Sequence, residues 1–236
     1  MSVSKVKSSF GEAVSDIPDG ATLMIDGFAG PGGTPQNLIR ALRRQGAKEL
    51  TIISNTAGLA SIIGFGTIPG DRPVDIGILV DKQQVKKVIA SFPSSPSPSR
   101  PTSFEEAYKQ GKVDLELVPQ GTLAERIRAG GAGIPAFYTP TGVDTEMANG
   151  KESRVFDGRQ YLMEHALKAD FALLRAHIAD TLGNVIYRGT SQNFNGVMAT
   201  AARITIVEVD EVVDPEAIDS GTIHTPALYV NHIVKI

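Results

Sequence analysis

The stretch ATLMIDGFAGPGGTPQNLIRALRRQG, residues 21–46, decides the fold class. Its first six residues form an apolar run of strand type. Four glycines and two prolines are then packed into residues 25–39. From Pro35 the pattern becomes helical, with Leu38, Ile39 and Leu42 on one face. Thr34 stands where an N-cap belongs, Pro35 at a position that tolerates proline, and Gly46 where a helix closes. The order is therefore strand, glycine-rich turn, helix. Such a turn is a ready anion site, because backbone N–H groups and the helix dipole face the ligand. A sharp turn that merely suits the fold is the equal alternative. The spacing fits neither a P-loop nor a dinucleotide fingerprint.

The same order recurs along the chain. LTIIS (50–54), IGILV (76–80), KVIAS (87–91) and VDLELV (113–118) read as strands. FEEAYKQG reads as a short helix ended by Gly111. FPSSPSPSRPTS (92–103) carries four prolines among serines and is expected as an exposed loop. In the second half YLMEHALKA and NFNGVMATAAR read as helices. DFALLRAHI, ITIVEVDEVV and the terminal ALYVNHIVKI read as strands. Alternation of short apolar strands with helices predicts parallel α/β units in one domain over 1–236. The expected class is a three-layer α/β/α fold with a mainly parallel sheet.

Composition narrows the function. The 236 residues include no cysteine, which excludes disulfides, thiolate metal sites and a cysteine nucleophile. A formal charge of −3 provides no basic field for nucleic acid. The apolar runs are too short to span a bilayer, and a cytoplasmic protein is expected. His165, His177, His224 and His232 are scattered without ligand spacing, so no metal site is expected. No G-x-S-x-G elbow occurs.

Three stretches carry candidate chemistry. In open parallel sheets, ligands bind outside the carboxyl ends of strands. The first stretch, Asp26, Gly27, Phe28, Ala29, Gly30, Pro31, Gly32 and Gly33, follows one strand. In the second, SNTAG (54–58), Asn55 follows another; a lone Asn there is also a common turn former. The third, VPQGTLAERIRAGGAGIPAFYTPTG (118–142), places Gln120 between a strand and a helix, where its amide can stabilise an oxyanion. Glu125 and Arg126 fall mid-helix, as an ion pair or a solvated face. The glycines after them point to backbone packed tightly against a ligand or a neighbouring chain.

Taken together, IDGFAGPGGTPQNLI, SNTAG, VPQGTLAERIRAGGAGIPAFYTPTGV, GKE, ADFALLRA, GNVIYR, NFNGVMATAA and IHTPALYV resemble the α (A) subunit of family I 3-oxoacid CoA-transferases. These are the succinyl-CoA:3-ketoacid and acetate-type enzymes of ketone-body and short-chain fatty acid metabolism. The resemblance runs in order from about residue 19 to the C-terminus. It implies the three-layer fold and a β subunit of related fold in an αβ or α2β2 assembly. It implies no permanently bound cofactor, with coenzyme A as co-substrate.

The implied chemistry is ping-pong. A glutamate carboxylate attacks the acyl-CoA thioester, giving an acyl-glutamyl anhydride and CoA thiolate. The thiolate then forms a glutamyl-CoA thioester, which passes CoA to the acceptor acid. In the family that glutamate lies in a Ser-Glu-Asn-Gly motif of the β subunit, and this chain has no such motif. The resemblance assigns residues 26–33 to CoA, and Asn55 and Gln120 to the acyl site.

The sequence departs from the family pattern at several points. Asp26 replaces a usual glycine, and one extra residue precedes Gly33-Thr34-Pro35. Thr56 replaces a second Asn, and Asp144 stands where Gly is usual. Residues 59–75 and 93–102 are longer than in many members. Two other readings compete: a stand-alone acyl-CoA hydrolase using Glu125 or another internal carboxylate, and a non-catalytic sugar-phosphate-binding or regulatory subunit.

Overall fold

The structure is a computed structural model, and it describes residues 4–28, 33–63 and 74–236. A short helix α1 (Phe10–Val14) precedes β1 (Thr22–Ile25), α2 (Gln36–Gln45) and β2 (Leu50–Ile53). Next come α3 (Ala60–Ile63), α4 (Gly77–Asp81), β3 (Val85–Ala90), α5 (Ser103–Lys109), β4 (Asp114–Leu117) and α6 (Gln120–Ala132). The chain continues through β5 (Ala136–Thr139), β6 (Ser153–Phe156), β7 (Arg159–His165), β8 (Ala169–Asp180) and β9 (Val185–Ile186). It ends with α7 (Asn195–Ala201), β10 (Ala202–Val213) and β11 (His232–Lys235).

The main sheet has the order β11-β10-β8-β1-β2-β3-β4, and every neighbouring pair in that order is parallel. Strand β9 adds to β8 in antiparallel fashion. From β1 the chain steps outward through β2, β3 and β4, then returns to the other side of β1 as β8. The order therefore reverses between β1 and β8, where a parallel sheet opens a crevice.

The three layers follow from strand alternation. Leu23, Ile25, Ile52, Phe171, Leu173 and Ile206 face one core with α1, α2, α4 and α5. Met24, Ile53, Ala172, Leu174 and Val207 face the other, with α6 and α7. A sheet covered on both faces buries successive residues, so its central strands read as unbroken apolar runs.

Local signals explain several boundaries. Gly46 closes α2 at φ 94°, a left-handed position open to glycine. Thr102 and Glu105 form a reciprocal capping box that starts α5 directly after the Pro/Ser loop. Asp144 has φ 61°, a left-handed conformation that Asp tolerates.

Four expectations are corrected. Residues 76–80 are not a strand. They enter and form α4, which buries Ile76, Leu79 and Val80 at helical spacing, while the Asp75 carboxylate accepts from Gly77 N at 2.9 Å. A five-residue apolar run cannot by itself separate the two periods. Residues 161–165 of YLMEHALKA are not helical but belong to β7, in a small antiparallel sheet ordered β5-β7-β6. There Leu162 and Glu164 are buried while their neighbours are not, a period of two. The residue preceding α2 as its cap is Pro35 rather than Thr34. Of ALYVNHIVKI only His232–Lys235 is strand, after a 3-10 turn at Ala227–Tyr229.

The loop expected over 92–103 lacks regular structure, apart from an isolated bridge of Phe92 with Thr56 and the start of α5 at Ser103, and Thr102 in it is buried. Of the long 59–75 segment, 64–73 lie outside the described residues, as do Ala29, Gly30, Pro31 and Gly32.

Candidate active site

The carboxyl ends of β1, β2 and β4 bring the sequence-derived residues together. Gln120, the first residue of α6, donates from Nε2 to Oδ1 of Asn55 at 2.8 Å. Asn55 is buried, and its backbone carbonyl accepts from Phe92 N at 2.9 Å, which ties the loop after β2 to the end of β3. Thr56 donates to Gly27 O at 3.1 Å, so the substituted position now holds the turn after β1. Gly27 is ringed by the hydroxyls of Ser54, Thr34 and Thr56, each 3.6–3.8 Å from where a Cβ would sit.

Beside Gln120 lies a cavity of about 310 Å³, lined by Phe28, Gln120, Gly121, Ala124, Asn193, Phe194 and Val197. The rings of Phe28 and Phe194 stack at 6.3 Å between centroids and form two of its walls. Its other contacts are aliphatic or amide, with no charged group among these lining residues. Asn55 does not line the cavity. It stands behind Gln120 and turns that amide.

Sequence reasoning missed Asn193, Phe194 and Val197, because the pattern of NFNGVMATAA speaks for a helix alone. The available signal was an aromatic residue flanked by two asparagines at a helix start.

The open helix terminus expected at α2 is already filled. One carboxylate oxygen of Glu208, from β10, accepts from both Asn37 N and Leu38 N at 2.9 Å, and Gln36 N bonds Thr34 O at 2.9 Å. An internal carboxylate thus occupies the place of an external anion. Burial pushes the Glu208 carboxyl up to about 7, against the helix N–H groups and the nearby Arg175 and Arg40, which favour its charged form.

Two further expectations change. The glycines ending α6 serve the chain's own packing. A Cβ on Gly130 would lie 1.9 Å from Leu167 O, and one on Gly131 would lie 2.1 Å from Thr200 Oγ1. Glu125 and Arg126 are not paired with each other. Glu125 binds Arg128 on the exposed face, with contacts of 2.7 and 2.9 Å. Arg126 is buried and donates to Glu116 and to His165 O, each at 2.7 Å. Glu125 is not among the residues that line the cavity. Among the described residues no group of His, Asp or Glu is arranged to hold a metal ion, and no helix is long and apolar enough to cross a membrane.

Similarity to known proteins points to one family. The family model for coenzyme A transferase matches residues 7–236. The α-type chain of a succinyl-CoA:3-ketoacid coenzyme A transferase of Xanthomonas campestris is 47% identical over 92% of this chain and 83% of its own length. The corresponding chain of a 3-oxoadipate CoA-transferase of Pseudomonas putida is 44% identical over 99% of this chain and 94% of its own. Among solved structures, an acyl-CoA transferase of Escherichia coli O157:H7, described as a thioester complex with CoA, superposes with a TM-score of 0.78. It is 25% identical, and the match covers 99% of this chain and 47% of that one. The chain belongs to the coenzyme A transferase family, as an α-type subunit of the 3-oxoacid enzymes.

Proposed function

We propose that this chain, acting as one domain over 1–236, moves CoA from a short-chain acyl-CoA to a carboxylate such as a 3-oxoacid. The attacking glutamate comes from a partner β subunit in an αβ or α2β2 assembly in the cytoplasm, and coenzyme A is a co-substrate rather than a resident group.

The observation that carries the reading is the Gln120 amide, tethered by Asn55 at the edge of a cavity with no carboxylate among its described lining residues. Such a site supplies neutral donors and apolar walls but no nucleophile. As the partner's carboxylate attacks the thioester carbon, negative charge gathers on the carbonyl oxygen. The remaining N–H of Gln120 stabilises that oxygen in this reading, and Asn55 acts by orienting Gln120. The turn from Asp26 to Gly33 approaches the CoA thioester through backbone rather than through the α2 terminus, which Glu208 fills.

The pairing of Glu125 with Arg128, and its absence from the cavity lining, speak against a stand-alone hydrolase that uses it. The deciding experiment mixes the chain with a β chain bearing Ser-Glu-Asn-Gly and follows CoA transfer. Activity only in the mixture supports the proposal. Robust turnover of acyl-CoA by this chain alone refutes it.

A further inference from the structure

Asp26 is a departure from the family pattern to which the proposed reaction gives no role. It ends the central strand at the point where the sheet order reverses, and it is 0% exposed. Neither of its oxygens has a hydrogen-bond partner of good geometry among the described residues. The amide nitrogen of Asn193 is buried and unpartnered in the same way. Native structures rarely leave such groups orphaned, and two together mark a missing bond or guest.

Both groups aim at one spot. A Cβ on Gly33 would meet Asn193 Nδ2 at 2.8 Å and Asp26 Oδ2 at 3.0 Å. Gly33 has φ 90° and no side chain, so the two groups come close around its Cα, with Asn195 Nδ2 3.3 Å from the same Cβ point. Each also adjoins a cavity wall. Asp26 lies two residues before Phe28, and Asn193 directly precedes Phe194. Asn195 bonds Gly33 O at 3.3 Å and Ser191 O at 2.8 Å, which holds the segment around Asn193 against the turn.

We infer that Asp26 and Asn193 are paired positioning residues for the transfer reaction. Their side chains bond across Gly33 when an acyl group fills the cavity, and this locks the Phe28 and Phe194 walls around it. The acid form is required for a physical reason. A bare carboxylate there would be buried without a counter-charge and would repel the negative charge developing at the thioester. Burial indeed pushes the Asp26 carboxyl well above the usual carboxylate range, outweighing the Gly27 N–H and the Asn195 amide, which favour the charged form.

The inference rests on the CoA-transferase reading, so the test uses the complex with its β subunit, with butanoyl-CoA as donor. Asp26→Val keeps the approximate volume and removes the polar atoms, whereas Asp26→Asn keeps a neutral donor and acceptor. The expected results are a fall of about ten-fold in kcat/KM for Asp26→Val and for Asn193→Ala, with the double variant no worse than either alone. Asp26→Asn restores near-normal turnover. Thermal unfolding of each variant separates misfolding from lost positioning. An Asp26→Asn variant that folds yet is as impaired as Asp26→Val means the charge is needed, and it overturns the inference. So does an unimpaired Asp26→Val, or additive losses in the double variant. A wild-type complex that neither turns over nor binds any acyl-CoA removes the transferase reading and this inference together; the other adverse outcomes remove this inference alone.

Discussion

The 2.8 Å hydrogen bond from Gln120 to Asn55 joins residues 65 apart in sequence, one at the start of a helix and the other after a neighbouring strand. It turns a flexible primary amide into a fixed donor. A donor already in place avoids the cost of reorganisation when charge develops.

Replacing Gln120 by Ala is expected to lower kcat in the α–β complex by roughly ten- to a thousand-fold, the range for one oxyanion donor. Asn55→Ala removes only the tether and is expected to cost about ten-fold, close to one net hydrogen bond. Steady-state kinetics on both variants checks the ranking. An Asn55→Ala loss larger than that of Gln120→Ala would assign the donor role to Asn55.

Stability should depend on pH through Glu208. Its carboxyl titrates near 4.5 when unfolded and at about 7 when folded. Below the unfolded value both states are protonated, and the contribution is fully present. As pH rises towards about 7, the unfolded chain ionises more readily and stability falls. The shift corresponds to roughly 3 kcal/mol at most. Buried Asp26 and Asp75, both raised by burial, add to the same trend. Urea unfolding between about pH 5 and pH 8 measures the slope, and Glu208→Gln should flatten it. An unchanged slope in that variant would show that Glu208 is not the titrating group.

Gly131→Ala should be poorly tolerated. The new methyl would overlap the side chain of Thr200 on α7, and opening the α6–α7 contact costs about 1–3 kcal/mol or more. Gly130→Ala should be worse, because its obstacle is the Leu167 backbone. Gly133→Ala has open space but a positive φ of 75°, so it should cost only about 1 kcal/mol. Melting temperatures of the three proteins test the order.

Arg126 anchors the middle of α6. Its removal as Arg126→Ala strips Glu116 and the buried Glu164 of their common cation, although Lys87 and Lys151 remain beside them. A loss of about 3 kcal/mol is expected, at the low end for a broken buried pair because those lysines persist. A change below about 1 kcal/mol in denaturant unfolding would show that the lysines suffice.

The parallel architecture was legible because strands covered on both faces must be apolar throughout, and TLMI, LTII and ITIVEV carry that mark. Residues 76–80 and 161–165 were misread for one physical reason. Both are short runs whose few apolar positions fit a helical or an alternating period alike, until the neighbours that bury them are known. Asn55 and Gln120 were legible as strand-end amides. Asn193 and Phe194 were not, since only the crossing from β8 brings them to the end of β1.

Local chemistry, written in the order of residues, determined that β1, β2, β8 and β10 are strands, where Gly46 stops a helix, and that this chain brings no cysteine. Tertiary structure alone decided that Glu208 fills the α2 terminus, that Gly130 and Gly131 serve internal packing, and that Asp26 and Asn193 both come close to Gly33. Those contacts join positions far apart along the chain. Their energies depend on burial and on the direction of side chains, which exist only once the sheet has been assembled.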